Sequence, residues 1–442
     1  MEAATARKPS GASVAGRSRP EQVLAPQVYA YARAGSYRVE CTPRMATLSM
    51  RQQRAGKTMH IAGGLYKETC LVPDWNAEYG SGGRAAAATA GLSPSTVLHA
   101  YAPALGSSGQ DALERLGVEL RLQPSLHGIA FAYFHPLSTP HIEPRRSAMV
   151  RHAPIELSGE AVLRFGFLEG EAIVQANRAV YDPQTSINPA TFADNGSSAD
   201  ELALVLNEAE AQALSGRSDI REAATALLDP GGAHVVVVKC GARGALVMER
   251  GGATAEVPAY RSERVFKIGT GDVFSSVFAL EWAERKQPAF LAADRASLSV
   301  AAYCASGILP LTTDAQKPRD PVTLEETPVV LLDGAVDTVG RRFVMEEARS
   351  SLLELGARVV CPALDAAQTI DPASIMSALV IGEGLHGGLR PRLEGLESSG
   401  IPVVLLDELR ATGIPAQGGP RVIYDFTSAI YFALWAALAR RG

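Results

Sequence analysis

The sequence has no run of about 18 consecutive apolar residues, so it offers no ordinary membrane-spanning helix. The longest apolar stretch, residues 430–439, is too short to span and ends in Arg440 and Arg441; it reads as a docked core helix. Cysteine is scarce: Cys41, Cys70, Cys240, Cys304 and Cys361 lie far apart, with no C-x-x-C pair. That suits buried thiols in a reducing, cytoplasmic setting better than a disulfide framework or a zinc site. The net charge of −5 provides no broad basic field, which argues against nucleic acid as a partner. No internal repeat is visible.

What is present is a soluble globular composition, 47% hydrophobic and 20% charged, on a chain long enough for two domains. Residues 1–58 stand apart, with ten Lys/Arg against three Asp/Glu and no sustained apolar period. Such a segment buries too little to offset its ordering entropy. It reads either as an organelle import segment or as an extension upstream of a true start at Met59.

From Met59 onward, short apolar runs alternate with amphipathic stretches. Strands are expected at residues 60–62, 179–181, 202–206, 235–239 and 244–248. Helices are expected at 84–90, 208–214, 220–228 and 272–283. This alternation implies a parallel sheet covered by helices on both faces. Residues 312–328, polar and proline-containing, read as a linker. A second strand–helix series, at 329–332, 342–355, 358–361, 379–382, 403–406 and a helix after Asp425, predicts a smaller Rossmann-like α/β domain over 329–442.

Six motifs carry chemistry. Gly269-Thr270-Gly271-Asp272 joins a strand end to a helix start. Bare glycine amides and a helix N-terminus there suit a phosphoryl group, and Asp272 could accept a hydroxyl proton. Alone, the motif reads better as a glycine turn with a capping aspartate. Asn207 and Glu210 open a helix three residues apart, either to hold Mg²⁺-bound water near phosphates or as a capping box. Lys239, Gly241 and Gly244 lie on a strand–turn–strand. Ile61-Ala-Gly-Gly64, Gly80-Ser-Gly-Gly-Arg84 and Tyr181-Asp-Pro-Gln184 complete the set.

In this order the motifs resemble the ribokinase-like (PfkB) kinase family over about residues 59–311. The resemblance implies a three-layer α/β sandwich with a small β lid, whose strand would fall at His127–Tyr133. It implies ATP and Mg²⁺ as cofactors and a small sugar or nucleoside as acceptor. Asp272 would be the base and the amides of Gly269, Thr270 and Gly271 the anion hole. Asn207 and Glu210 would organise Mg²⁺, with Glu210 acting through water. Lys239, Gly241 and Gly244 would follow the nucleotide, while Glu68, Gly82 and Gly83 would face the acceptor.

This sequence departs from the family pattern at Ala87, where Asn is usual, and at Phe266, where an acid is common. The segment from Gly83 to Asp182 is also shorter than usual. Residues 329–442 resemble a nucleoside 2-deoxyribosyltransferase domain, but Arg392 stands at the nucleophile position, with Glu394 two residues on. A ligand-binding or dimerising role is therefore expected ahead of glycosidic cleavage. A nucleotide-binding sensor that keeps the fold without the catalysis is the other alternative.

Overall fold

The computed structural model describes residues 58–228, 232–322, 326–365, 371–415 and 419–439. All but one residue of the 1–58 extension lie outside them. Thr58 already belongs to the first strand.

The first half of the chain runs β1 (Thr58–Ala62), β2 (Lys67–Cys70), β3 (Trp75–Glu78), helix α1 (Gly80–Thr89), β4 (Ser95–Pro103) and α2 (Ser108–Arg115). It continues through β5 (Glu119–Ser125), β6 (Ala130–Tyr133), β7 (His141–Glu143), β8 (Ile155–Phe165), β9 (Ala172–Asp182) and β10 (Ser198–Asn207). Next come α3 (Glu208–Ser215), α4 (Ile220–Leu228), β11 (Val235–Lys239), β12 (Ala245–Glu249) and β13 (Thr254–Val257). Then β14 (Ala259–Tyr260), α5 (Thr270–Ala279), α6 (Ala289–Ser306) and β15 (Pro321–Val322) complete this part.

Nine strands form one sheet in the order β13-β12-β11-β10-β9-β8-β1-β4-β5, parallel from β11 to β5 and antiparallel at the β11–β12–β13 edge. Parallel strands covered on both faces need side chains that are apolar throughout, as in Val235–Val238. On one face lie α1, α5 and α6. Ala85–Ala88 of α1 are wholly buried among Phe274, Val277 and Phe278, and their small side chains let the two helices approach closely. On the other face α3 and α4 cover Leu204, Leu206, Val236 and Val238. This is the three-layer sandwich expected from the sequence.

The short central segment solves its length problem unusually. Residues 166–171 alone join the end of β8 to the start of β9, yet the two strands run parallel with Ile155 beside Ala172 and Phe165 beside Asp182. Seven Cα steps reach at most about 25 Å, whereas ten strand residues span roughly 33 Å. Straight strands are thus impossible. The ladder skips Glu160 and Asn177, and the leading arms pack Ile155, Leu157, Ala172 and Val174 against Ala62, Tyr101 and Val162 of the same sheet. Folded-back strand arms take the place of a covering helix.

A separate four-stranded sheet, β3-β2-β6-β7, forms the lid. The expected lid strand at His127–Tyr133 is β6. Its neighbours β2, β3 and β7 were not foreseen, because Lys67–Cys70, Trp75–Glu78 and His141–Glu143 are three or four residues long and mostly polar.

The expected linker, residues 312–328, holds regular structure in its described part. It contains a 3₁₀ turn at Thr313–Gln316 and β15, which pairs antiparallel with β14, so this stretch is stitched to the larger part. Backbone pairing overrides a loop-like composition here.

Beyond it lie β16 (Val329–Asp333), α7 (Val339–Glu354), β17 (Arg358–Val360), β18 (Ser377–Ile381), α8 (Leu389–Ser398), β19 (Val403–Leu406), β20 (Arg421–Ile423) and α9 (Phe426–Ala439). The strands form an all-parallel sheet, β17-β16-β18-β19-β20, one of the two common doubly wound orders. Arg392 is bonded to Asp333 at 2.6 and 2.8 Å, and Glu394 is exposed. Helix α9 is the docked core helix foreseen from composition: Ile430, Phe432 and Leu434 are buried. The larger part and this sheet share one core, in which Val265 and Cys304 pack with Tyr431 and Trp435.

Candidate active site

Asp272 sits in the first turn of α5, which opens on Gly269 at φ +72°. That backbone is left-handed, and a Cβ at this position would fall 1.6 Å from Nε of Arg84, so only glycine fits. The Thr270 amide donates to the Lys267 carbonyl at 3.3 Å. The Gly271 amide, one residue into the helix, has no intrahelical acceptor to meet and stays available to an anion. Lys267 donates to the Thr270 hydroxyl at 2.9 Å, which puts a cation beside the same turn.

Two chains of polar contacts converge on Asp272. From α1, Arg84 is completely buried; its Nε lies 3.3 Å from Asp272 Oδ2, while its other nitrogens reach the Glu68 carboxylate and, at 3.1 Å, the Tyr303 hydroxyl. From the end of β9, Asp182 is also completely buried and accepts from Lys239 Nζ and Ser275 Oγ, both at 2.6 Å. Gln184 bridges the two carboxylates, donating to Asp182 at 3.1 Å and to Asp272 at 3.4 Å.

Crowding acids into a buried site has electrostatic consequences. Burial pushes the Asp272 carboxyl up to about 6; Glu68 and Asp182 add to this, while Arg84 and Lys239 restrain it. Burial, with Asp182 nearby, raises Glu210 to about 7. Burial works against the charge of Arg84, but Glu68, Tyr303 and Asp272 together hold it firmly protonated. Lys239 is likewise kept charged by Asp182 and Glu210 despite its burial.

Asn207 and Glu210 do form the capping box: Glu210 N donates to Asn207 Oδ1 and Asn207 N donates to Glu210 Oε2, both at 2.8 Å. Lys239 points into the Asp182 pair. Gly82 and Gly83 do not reach the cavity wall; Gly80 and Ser81 do. Gly82 instead abuts the backbone of Gly63, where a Cβ would lie 2.5 Å from the Gly63 carbonyl. Ala87 is wholly buried beneath the sheet, and Phe266 packs tilted against Trp75, ring centroids 4.7 Å apart, and edge to face against Tyr303 at 5.7 Å. Arg84, Asp182 and Gln184 stand within the sequence motifs but carried no expected role there, and Lys267 and Tyr303 were not among the expected site residues. The legible signals were a lone arginine in an alanine helix, since an unpaired charge cannot be buried there, and the Asp-Pro strand end at 182–183.

Two cavities meet at this cluster. The smaller, about 280 Å³, lies under the lid and is walled by Tyr66, Glu68, Phe131 and Tyr133. The larger, about 640 Å³, runs along Asn207, Glu210, Lys239, Gly241 and Gly244. Tyr133, Gln184, Gly269 and Asp272 line both. The larger cavity suits a magnesium nucleotide, since it pairs a helix N-terminus and two lysines with Glu210, whose second oxygen takes no part in the cap. Among the described residues no cluster of three His, Cys, Asp or Glu could hold a metal by itself, so a magnesium ion would be held jointly with phosphate and water.

Residues 201–309 match the sequence profile of the pfkB family carbohydrate kinase. No curated protein matches the sequence. Similar solved structures include an Arabidopsis thaliana ribokinase complexed with ribose and ATP, at 13% identity over 56% of this chain and 93% of that one, with a TM-score of 0.44. A ribokinase from Thermotoga maritima aligns at 16% identity over 60% and 96%, TM-score 0.41. A pyrophosphate-dependent kinase in the ribokinase family, complexed with a pyrophosphate analog and myo-inositol, aligns at 17% identity over 56% and 94%, TM-score 0.39. The stretch that supplies Asn207, Glu210, Lys239, the glycine turn and Asp272 therefore carries the sequence pattern of a pfkB family carbohydrate kinase.

Proposed function

We propose that this protein transfers the terminal phosphoryl group of ATP to a hydroxyl of a small sugar or nucleoside. The observation that carries the reading is the position of Asp272, a buried carboxylate at a helix N-terminus where two cavities open onto each other. The larger cavity takes the donor and the smaller the acceptor. Asp272 accepts the hydroxyl proton as the oxygen attacks phosphorus; Arg84 holds the carboxylate in place. The glycine-turn amides, Gly271 foremost, and the Lys267 ammonium face the charge that develops on the transferring group. Magnesium would supply charge neutralisation of the phosphates, and Glu210 would hold one of its waters. The aromatic walls of the acceptor cavity, with Tyr66 stacked on Phe131 at 5.5 Å, suit the flat faces of a sugar or base ring.

Release of ADP from ATP and Mg²⁺ in the presence of a panel of sugars and nucleosides tests this reading. Turnover dependent on one acceptor supports it. Nucleotide binding without ADP release across the panel would favour a sensor.

The pH profile is a second test. Asp272 must be ionised to accept a proton, and burial has raised it from 3.8 to about 6. We expect kcat/KM to climb as pH rises through about 6 and to be largely lost by pH 5. A flat profile between pH 5 and 8 would remove Asp272 from the role of base.

A further inference from the structure

The wall of the larger cavity is not built by the kinase-like part alone. Tyr431 and Trp435, one helical turn apart on α9 of the C-terminal domain, line it together with Val300, Ala301 and Cys304 of α6. Both aromatic residues are 5% exposed and pack edge to face, with ring centroids 5.9 Å apart. Tyr431 lies near Lys267, which also holds Thr270 of the glycine turn. Among the described residues lining this cavity, the Trp435 indole nitrogen is the one buried side-chain donor without a partner. Buried indole N–H groups ordinarily find an acceptor.

The chemistry of this wall differs from that of the glycine turn. The turn and its lysines suit an anion. The wall is flat, aromatic and apolar, with one unused N–H, and so suits a heteroaromatic ring bearing acceptor nitrogens. A nucleoside triphosphate presents both features on one molecule.

Building on the donor site proposed above, we infer that Tyr431 and Trp435 form part of the site for the nucleotide base, with the Trp435 N–H donating to a ring nitrogen or carbonyl of that base. The C-terminal domain is then a component of the phosphoryl-donor site rather than a separate catalytic module. Nucleotide occupancy and the docking of α9 are linked: loosening α9 weakens the nucleotide, and bound nucleotide holds α9 in place.

Calorimetry on the full chain tests this, with a non-hydrolysable ATP analogue and inorganic tripolyphosphate, both with Mg²⁺, as the two probes. Trp435→Phe keeps a ring in place and removes the N–H; Trp435→Ala removes the ring as well. The analogue should bind Trp435→Phe about tenfold more weakly than the parent, the loss of one well-placed hydrogen bond, and Trp435→Ala more weakly still. Tripolyphosphate should bind all three proteins equally. Unchanged analogue affinity in Trp435→Phe would overturn the inference, as would an equal loss for both probes, which signals a disturbed fold. A parent chain that binds tripolyphosphate and the analogue equally tightly would also overturn it while leaving the anion site standing. A parent that binds neither probe refutes the donor site itself.

Discussion

Asp272→Asn should lower ATP-dependent turnover by about a thousandfold, the usual weight of a positioned general base. Asparagine keeps the size and the contact with Arg84 but has no lone pair basic enough to take a hydroxyl proton. The same change should not destabilise the protein at neutral pH, and the sign follows from linkage. A carboxyl raised from 3.8 to about 6 in the folded state binds its proton more tightly there than when unfolded. Its share of stability is therefore fully present below pH 3.8 and is lost as pH rises towards 6. Asparagine mimics the protonated form, so the variant should match or exceed the parent in denaturant resistance at pH 8. Turnover within threefold of the parent would refute the base assignment. Lost turnover with a large fall in stability would instead mark Asp272 as structural.

Arg84→Met should have the largest effect on stability. Arg84 is completely buried and is held by Glu68, Asp272 and Tyr303. Removing it leaves two largely buried carboxylates without their counter-charge, and breaking a buried ion pair from one side costs about 3–5 kcal/mol. Urea or guanidinium unfolding reads that loss directly. Since Arg84 restrains the Asp272 carboxyl, its removal should also move the acid limb of the pH profile above 6, provided the variant still turns over. Adding Glu68→Gln should restore part of the stability, because it removes one of the two uncompensated charges. If Arg84→Met unfolds within about 1 kcal/mol of the parent, the arginine is not the anchor of the site. If the double variant is no more stable than the single, Glu68 is not its counter-charge.

Some of this architecture is written locally. Val235–Val238 can only be a strand buried on both faces, and Asn207 with Glu210 closes a helix start from within four residues. The turn at Gly269 is legible because left-handed backbone next to a helix start selects glycine. The lid strands were mostly illegible, being too short and too polar to show a period. The pairing of Pro321–Val322 with Ala259–Tyr260 was illegible for another reason: two residues carry no pattern, and their partner lies some sixty positions away.

The Gly269–Asp272 motif shows where the division falls. By itself the sequence determined a glycine turn feeding a helix with an acid in its first turn, because backbone conformation and helix capping are short-range matters. It also determined the alternation of strand and helix, which follows from side-chain periodicity. Only the tertiary structure decided what the acid meets. Arg84 arrives from 188 residues away, Asp182 and Gln184 come from the end of another strand, and Tyr431 and Trp435 come from the last helix, which packs on the five-stranded sheet. Charges and cavities depend on distance in space, and no local pattern records which distant side chains the packed layers will bring together.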